Sequence, residues 1–130
     1  MNLLFDKADY ITFFYPVWWN DMPAIMKGFI DRVFAQGFAY QINNGKAEGL
    51  LQQKKIILVC TLGNNQEQVQ ISGLEQAMRL KEKVGVFGYC GIQEVEHYFL
   101  YDVYASEDIR NKYISQMQEL AKNLSPFTLR

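Results

Sequence analysis

Two adjacent tryptophans, Trp18 and Trp19, stand in the segment Pro16-Val17-Trp18-Trp19-Asn20-Asp21-Met22-Pro23, directly after the aromatic run YITFFY. Exposed indole surface at the mouth of a crevice is costly unless something covers it. A flat aromatic ligand or a partner subunit would do so, and packing beneath neighbouring loops is the competing reading. Other chemistry is poorly served. The single histidine, His97, lies among apolar neighbours (Tyr98, Phe99) and reads as a structural side chain. Two isolated cysteines and one histidine do not provide the ligand spacing of a metal centre. Ser72, Ser106, Ser115 and Ser125 lack the strand-to-helix elbow of a nucleophilic serine. Gly85, Gly88 and Gly91 are spaced GxxGxxG and precede a strand, whereas the phosphate-binding GxGxxG fingerprint precedes a helix. They read as a tight helix-to-strand turn, and Glu94, Glu96 and Asp102 read as solvated carboxylates.

The elements that must position these residues follow from hydrophobic spacing. Residues 10–15 form a continuous aromatic and β-branched run, the pattern of a strand buried on both faces. Ile25, Met26, Phe29, Ile30, Val33 and Phe34 recur at helical spacing after Pro23, with Asp21 as a cap and Gly37 as a stop. Residues 41–53 are polar and glycine-rich and predict a long surface loop. A second buried strand spans 56–61 (IILVCT). A helix is predicted over 74–84 with Leu74, Ala77, Met78 and Leu80 as its buried stripe, then a third strand over 94–100. The last helix, 108–124, sets Ile109, Tyr113, Met117, Leu120 and Leu124 on one side, with Pro126 beyond its end. Alternation of strand and helix predicts a three-layer α/β domain around a parallel sheet. Ligands of such sheets bind at the carboxyl ends of the strands, so the loops after Tyr15, Thr61 and Leu100 are where a site should lie.

Composition bounds the partners. The 130 residues carry 13 Lys+Arg against 14 Asp+Glu, a net charge of -1 without a basic stripe, which argues against nucleic acid. The longest apolar run, residues 10–19, is half of a bilayer crossing and contains a proline. Cys60 and Cys90, in apolar contexts, suit reduced buried thiols, and a cytoplasmic location is expected.

Residues 14–40, FYPVWWNDMPAIMKGFIDRVFAQGFAY, resemble the flavodoxin-like NAD(P)H:quinone oxidoreductase family, whose pattern F-P-x-x-W-x-x-x-P-A-x-x-K-G-[WF]-x-[DE]-R-V is followed by GFAY. Gly49-Leu50-Leu51 before Lys54-Lys55, Cys60-Thr61-Leu62-Gly63, and Gly88-Tyr89-Cys90-Gly91-Ile92 extend the likeness over nearly the whole chain. The resemblance implies a flavin, FMN or FAD, along Pro16, Val17, Trp18, Trp19, Thr61, Leu62, Gly63 and Asn64. It implies hydride transfer from NAD(P)H to the flavin and on to a quinone-like acceptor. It also implies a homodimer, with Tyr40 in the partner's substrate pocket and Asn20 and Gln68 beside it. No residue is assigned a catalytic role. This chain departs from the family's two-threonine, two-glycine stretch at Cys60 to Gly63, and Gln68 and Leu74 stand where some members place a tyrosine and a histidine.

The expected architecture is one domain, 1–130, matching the carboxyl-terminal part of a flavodoxin-like sheet (strands three to five), truncated before the first strand, phosphate loop and second strand. Other readings are a truncated flavin-free interaction module or an ancillary regulator of a potassium-efflux system. With its neighbour strand missing, the run 10–15 becomes an edge without charge or proline, devices that normally discourage pairing. Completion by a second copy or by a separately supplied piece is therefore expected.

Overall fold

The computed structural model describes residues 3–124. A short helix α1 (Leu3–Lys7) precedes strand β1 (Tyr10–Pro16), helix α2 (Ala24–Val33) and the strands β2 (Tyr40–Asn43) and β3 (Lys46–Gly49). Strand β4 (Lys55–Thr61) leads to helices α3 (Gln66–Ile71) and α4 (Leu74–Leu80) and a π-helical segment (Lys81–Val86). Strand β5 (Glu94–Leu100) and helix α5 (Glu107–Asn123) complete the order. The main sheet is parallel, in the order β1-β4-β5. Parallel strands need crossovers, and helices supply them on both faces.

β4 sits centrally and reads as its sequence predicts: Ile56 to Cys60 are all buried. On one face Phe13, Tyr15, Leu58, Cys60 and Phe99 join Ile30, Phe34, Met78 and Phe87 in the larger core. On the other, Ile57, Val59 and Leu100 meet the partly buried Tyr113, Met117, Leu120 and Leu124 of the last helix and its end.

Several expectations are corrected. β1 is not buried on both faces. Phe13 and Tyr15 are covered, but Phe14 on the α5 side is 63% exposed, because β1 is the edge strand and α5 does not reach over it. The predicted loop 41–53 contains the hairpin β2–β3, turned by Asn44 (φ 51°) and Gly45 (φ 76°). Asn-Gly is the favoured pair for such a two-residue turn. Strands of four residues are too short for the alternation of Tyr40 and Ile42 to stand out.

The helix predicted over 74–84 ends at Leu80, preceded by the separate helix α3, and passes into the π segment. Of its expected stripe only Met78 is buried, while Leu74, Ala77 and Leu80 are exposed. The buried row instead runs Met78, Glu82, Phe87, four residues and then five, and the wider π turn keeps that row facing the sheet. Asp21 does not cap α2, whose N-cap is Pro23 without a side-chain bond. Ile25, expected in the apolar stripe, is exposed. α5 begins one residue early, capped by Ser106 Oγ accepting from Ile109 N–H (3.2 Å). Pro126 and Ser125 lie outside the described residues.

Among the described residues no helix is long and apolar enough to cross a membrane.

Candidate functional site

The register places Pro16, Thr61 and Leu100 in one row at the carboxyl ends of the three strands. The ladder runs one step further into the loops: Val17 N–H donates to Thr61 O and Leu62 N–H to Leu100 O, each at 2.9 Å. Asp102 N–H then donates to Asn64 O and Val103 N–H to Leu62 O, both at 3.1 Å, tying the third loop to the second. The three strand-end loops thus form one continuous rim, where a doubly wound sheet binds ligands.

The first loop is a tight reversal. Trp18 N–H donates to Asp21 O (2.9 Å) and Asp21 N–H to Trp18 O (3.1 Å). The two central residues, Trp19 (φ 52°) and Asn20 (φ 61°), are both left-handed. Glycine or asparagine normally fills such positions, so a tryptophan there holds backbone strain of about 1–2 kcal/mol. The turn drives Trp19 into solvent at 99% exposure, with Trp18 at 60%. Among the described residues nothing packs over the Trp19 ring, and Trp18 is only partly covered.

In the second loop Leu62 is buried, whereas Gly63 and Asn64 are exposed. A Cβ on Gly63 would stand 2.8 Å from the ring of Tyr104, itself 85% exposed. Asn65 closes the loop by accepting from Glu67 N–H (2.9 Å) at the start of α3, which leaves Gln68 on the exposed side of that helix. Within the described residues the N–H groups of Trp19, Asn20 and Gly63 have no acceptor. Three exposed aromatic rings and unpaired backbone donors therefore share one rim. That set suits a flat heteroaromatic ring with carbonyl and ring-nitrogen acceptors.

Behind the loop lies an ionic chain. Asp21 Oδ1 accepts from Met22 N–H (2.7 Å) and from Lys81 Nζ, and Lys81 Nζ also pairs with Glu82 Oε1 at 2.8 Å. Burial pushes the Asp21 carboxyl up, but the bonds from Lys81 and Met22 outweigh it and hold the group below its usual value. Burial pushes Glu82 up, against the pull of Lys81.

Under β1 and β4, His97 Nε2 lies 3.1 Å from Tyr15 Oη and 3.5 Å from Cys60 Sγ. Burial, then the Arg79 charge, drive His97 down to about 4. Burial pushes the Cys60 thiol up to about 12 and Cys90 to about 11, so both stay protonated and unreactive near neutrality.

The structure brings residues 16–20 and 61–64 together, as the sequence predicts. Tyr40 stands elsewhere, in the hairpin layer, its ring packed on Tyr89 at 5.1 Å between centroids. Sequence reasoning passed over Tyr104 and Lys81. An aromatic in the loop after the third strand, which also holds Tyr101, was the available signal for the first.

Residues 3–124 match the flavodoxin-like fold family. An uncharacterized NAD(P)H oxidoreductase of Haemophilus influenzae is 39% identical over 106 residues, which is 82% of this chain and 52% of that protein. Smu.1420 from Streptococcus mutans UA159 superposes with a TM-score of 0.79 at 33% identity, covering 90% of this chain and 61% of that one. An NAD(P)H:quinone oxidoreductase from Methanothermobacter marburgensis gives 0.76 at 27% identity, covering 92% and 60%. The chain spans about half the length of the curated relatives it matches.

Proposed function

The chain belongs to the flavodoxin-like fold family, and from that premise we propose that its strand-end rim carries the ring of a flavin, FMN or FAD, in an NAD(P)H:quinone oxidoreductase. When bound, the flavin supplies the hydride chemistry between a nicotinamide and a quinone-like acceptor. The observation that carries this reading is the strained turn that exposes Trp19 beside unpaired N–H groups on two adjoining loops. Names of similar proteins, an NAD(P)H oxidoreductase and an NAD(P)H:quinone oxidoreductase, support it.

In this reading Pro16, Val17, Thr61 and Leu62 fix the floor of the rim through the extended ladder. Trp18 and Trp19 offer an aromatic wall that excludes water. Backbone N–H groups of Trp19 and Gly63, with Asn64 beside them, face the ring's electronegative edge, where fixed donors stabilise developing negative charge without reorganisation. Asn20 and Gln68, both exposed beside the rim, border the acceptor's approach. Tyr40 contributes to the acceptor pocket of a second subunit in a homodimer. A cytoplasmic setting agrees with two buried free thiols.

The apolar cleft of about 890 Å³ between β1 and α5, walled by Phe14, Val59, Leu100, Tyr113 and Met117, favours a second reading, a flavin-free interaction module. Titration of FMN against tryptophan fluorescence, followed by NAD(P)H oxidation with menadione, separates the two. Saturable quenching and turnover support the oxidoreductase. Colourless protein with no quenching and no NAD(P)H consumption in the presence of added flavin overturns it in favour of the module.

A further inference from the structure

Lys81 and Glu82 have no part in the rim, yet their placement is unusual. Glu82 occupies the buried row between Met78 and Phe87, a position where packing against a sheet calls for an apolar side chain, and it is 3% exposed. A carboxylate taken out of water needs a partner. Only one of its oxygens has one, Lys81 Nζ at 2.8 Å, while Oε2 is unpaired within the described residues. Glu82 lies one ordinary helical step after the buried Met78, and Lys81, its neighbour, reaches outward. The same ammonium bonds Asp21 Oδ1, sixty residues away in sequence. Asp21 is the closing residue of the Trp18–Asp21 turn, and its Oδ1 already holds Met22 N–H.

Two consecutive left-handed non-glycine residues persist only when their surroundings over-determine them. The two backbone bonds of the turn are local and would not by themselves resist opening into solvent. We propose that Lys81, seated on the buried Glu82, is a positioning residue that clamps Asp21 and so holds the Trp18–Trp19 turn in its strained, outward-facing form. The clamp works from behind the loop, so neither Lys81 nor Glu82 needs to touch a ligand. Only its ligand-binding consequence rests on the proposed flavin site; the restraint on the loop does not.

The two tryptophans of the chain both lie on this turn, so tryptophan emission excited beyond the tyrosine band reports the loop alone. Lys81→Met is expected to lower tryptophan anisotropy, and Lys81→Arg to restore it by supplying a cation to both carboxylates. Should the freed turn hold its clamped form about a tenth of the time, the apparent Kd for FMN rises about tenfold. Asp21→Ala removes the acceptor and cuts the link from the loop side, leaving the Lys81–Glu82 pair intact, and serves if Lys81→Met does not fold. It should lower anisotropy with the unfolding midpoint nearly unmoved. Wild-type anisotropy in Asp21→Ala, or a lowered midpoint with unchanged anisotropy in Lys81→Met, overturns the clamp. Wild-type protein that fails to bind FMN refutes the flavin reading, and anisotropy still decides the clamp.

Discussion

The ring of Tyr104 lies against Gly63 so closely that a methyl group on that glycine would stand 2.8 Å from Cε2. The contact joins the loop after β5 to the loop after β4 at the rim. Tyr104 is largely exposed and free to swing, so the clash is relieved by moving the ring and leaves the backbone in place. Gly63→Ala is therefore expected to change the unfolding free energy by less than about 1 kcal/mol while displacing Tyr104. Urea unfolding checks the first half. FMN titration checks the second, with weakened binding expected at nearly constant stability.

Trp19 buries almost nothing in this chain, so Trp19→Ala should leave stability within about 0.5 kcal/mol and relieve part of the turn's strain. Its value lies in the ligand. Loss of a stacked ring costs about 0.5–1.5 kcal/mol, a several-fold weaker Kd for FMN. Trp18→Ala, at a half-covered ring, should cost more stability than Trp19→Ala. Equal FMN affinity in wild type and Trp19→Ala would remove the aromatic wall from the proposed site.

His97 gives a pH dependence with a definite sign. Its folded value is depressed to about 4 from an ordinary 6.5, by burial first and then by the Arg79 and Lys81 charges, against a smaller opposing pull from Glu75. A neutral histidine in the fold contributes nothing lost above pH 6.5. Below it the unfolded chain binds a proton that the folded chain refuses, so stability falls between about 6.5 and 4, by up to about 3 kcal/mol. Tyr15 and Cys60, which face the imidazole, remain protonated throughout this range. Glu82 acts in the opposite sense, since its raised value favours the fold as pH drops through it. Comparing wild type with His97→Gln by urea unfolding at pH 7 and 4.5 isolates the histidine: the variant should lose distinctly less stability over the interval.

The strands were legible because parallel strands buried by helices are written as unbroken β-branched and aromatic runs, as in residues 56–60. The hairpin was not, since its strands are four residues each and Tyr40, Ile42 and Ala47 are too short a series to stand out among Gln41, Asn43, Lys46 and Glu48. Helical spacing misled over residues 74–84 because Glu82, not a hydrophobic residue, follows Met78 at the ordinary four-residue step, and only beyond it does the π turn set Phe87 five residues on. Leu80 is thereby left outside the core and Glu82 within it. For the site, position decided where to look. The loops after Tyr15 and Thr61 were singled out because the strand ends of a parallel sheet share one edge, and the individual residues 16–20 and 61–64 came from the family resemblance. Lys81 and Tyr104 act through contacts with Asp21 and Gly63, and such pairs carry no local signature.

The outer edge of β1 carries the last prediction. Among the described residues β1 pairs only with β4, so the backbone groups on its other side lack a strand partner, and Phe14 lies open beside the apolar cleft. Neither charge nor proline within residues 10–15 discourages another strand from adding there. Burying one phenylalanine side chain contributes about 1.5–3 kcal/mol, and a new ladder together with closure of the apolar cleft must supply the rest of the roughly 8 kcal/mol that micromolar association needs. Wild-type chain is thus expected to sediment as a species larger than a monomer, with slow amide exchange along residues 10–15 on both edges of β1. Phe14→Lys places a charge on the exposed face and should return it to a monomer whose outward-facing amides exchange rapidly. A monodisperse wild-type monomer with rapid exchange on the outer side of β1 would show that this edge stays open.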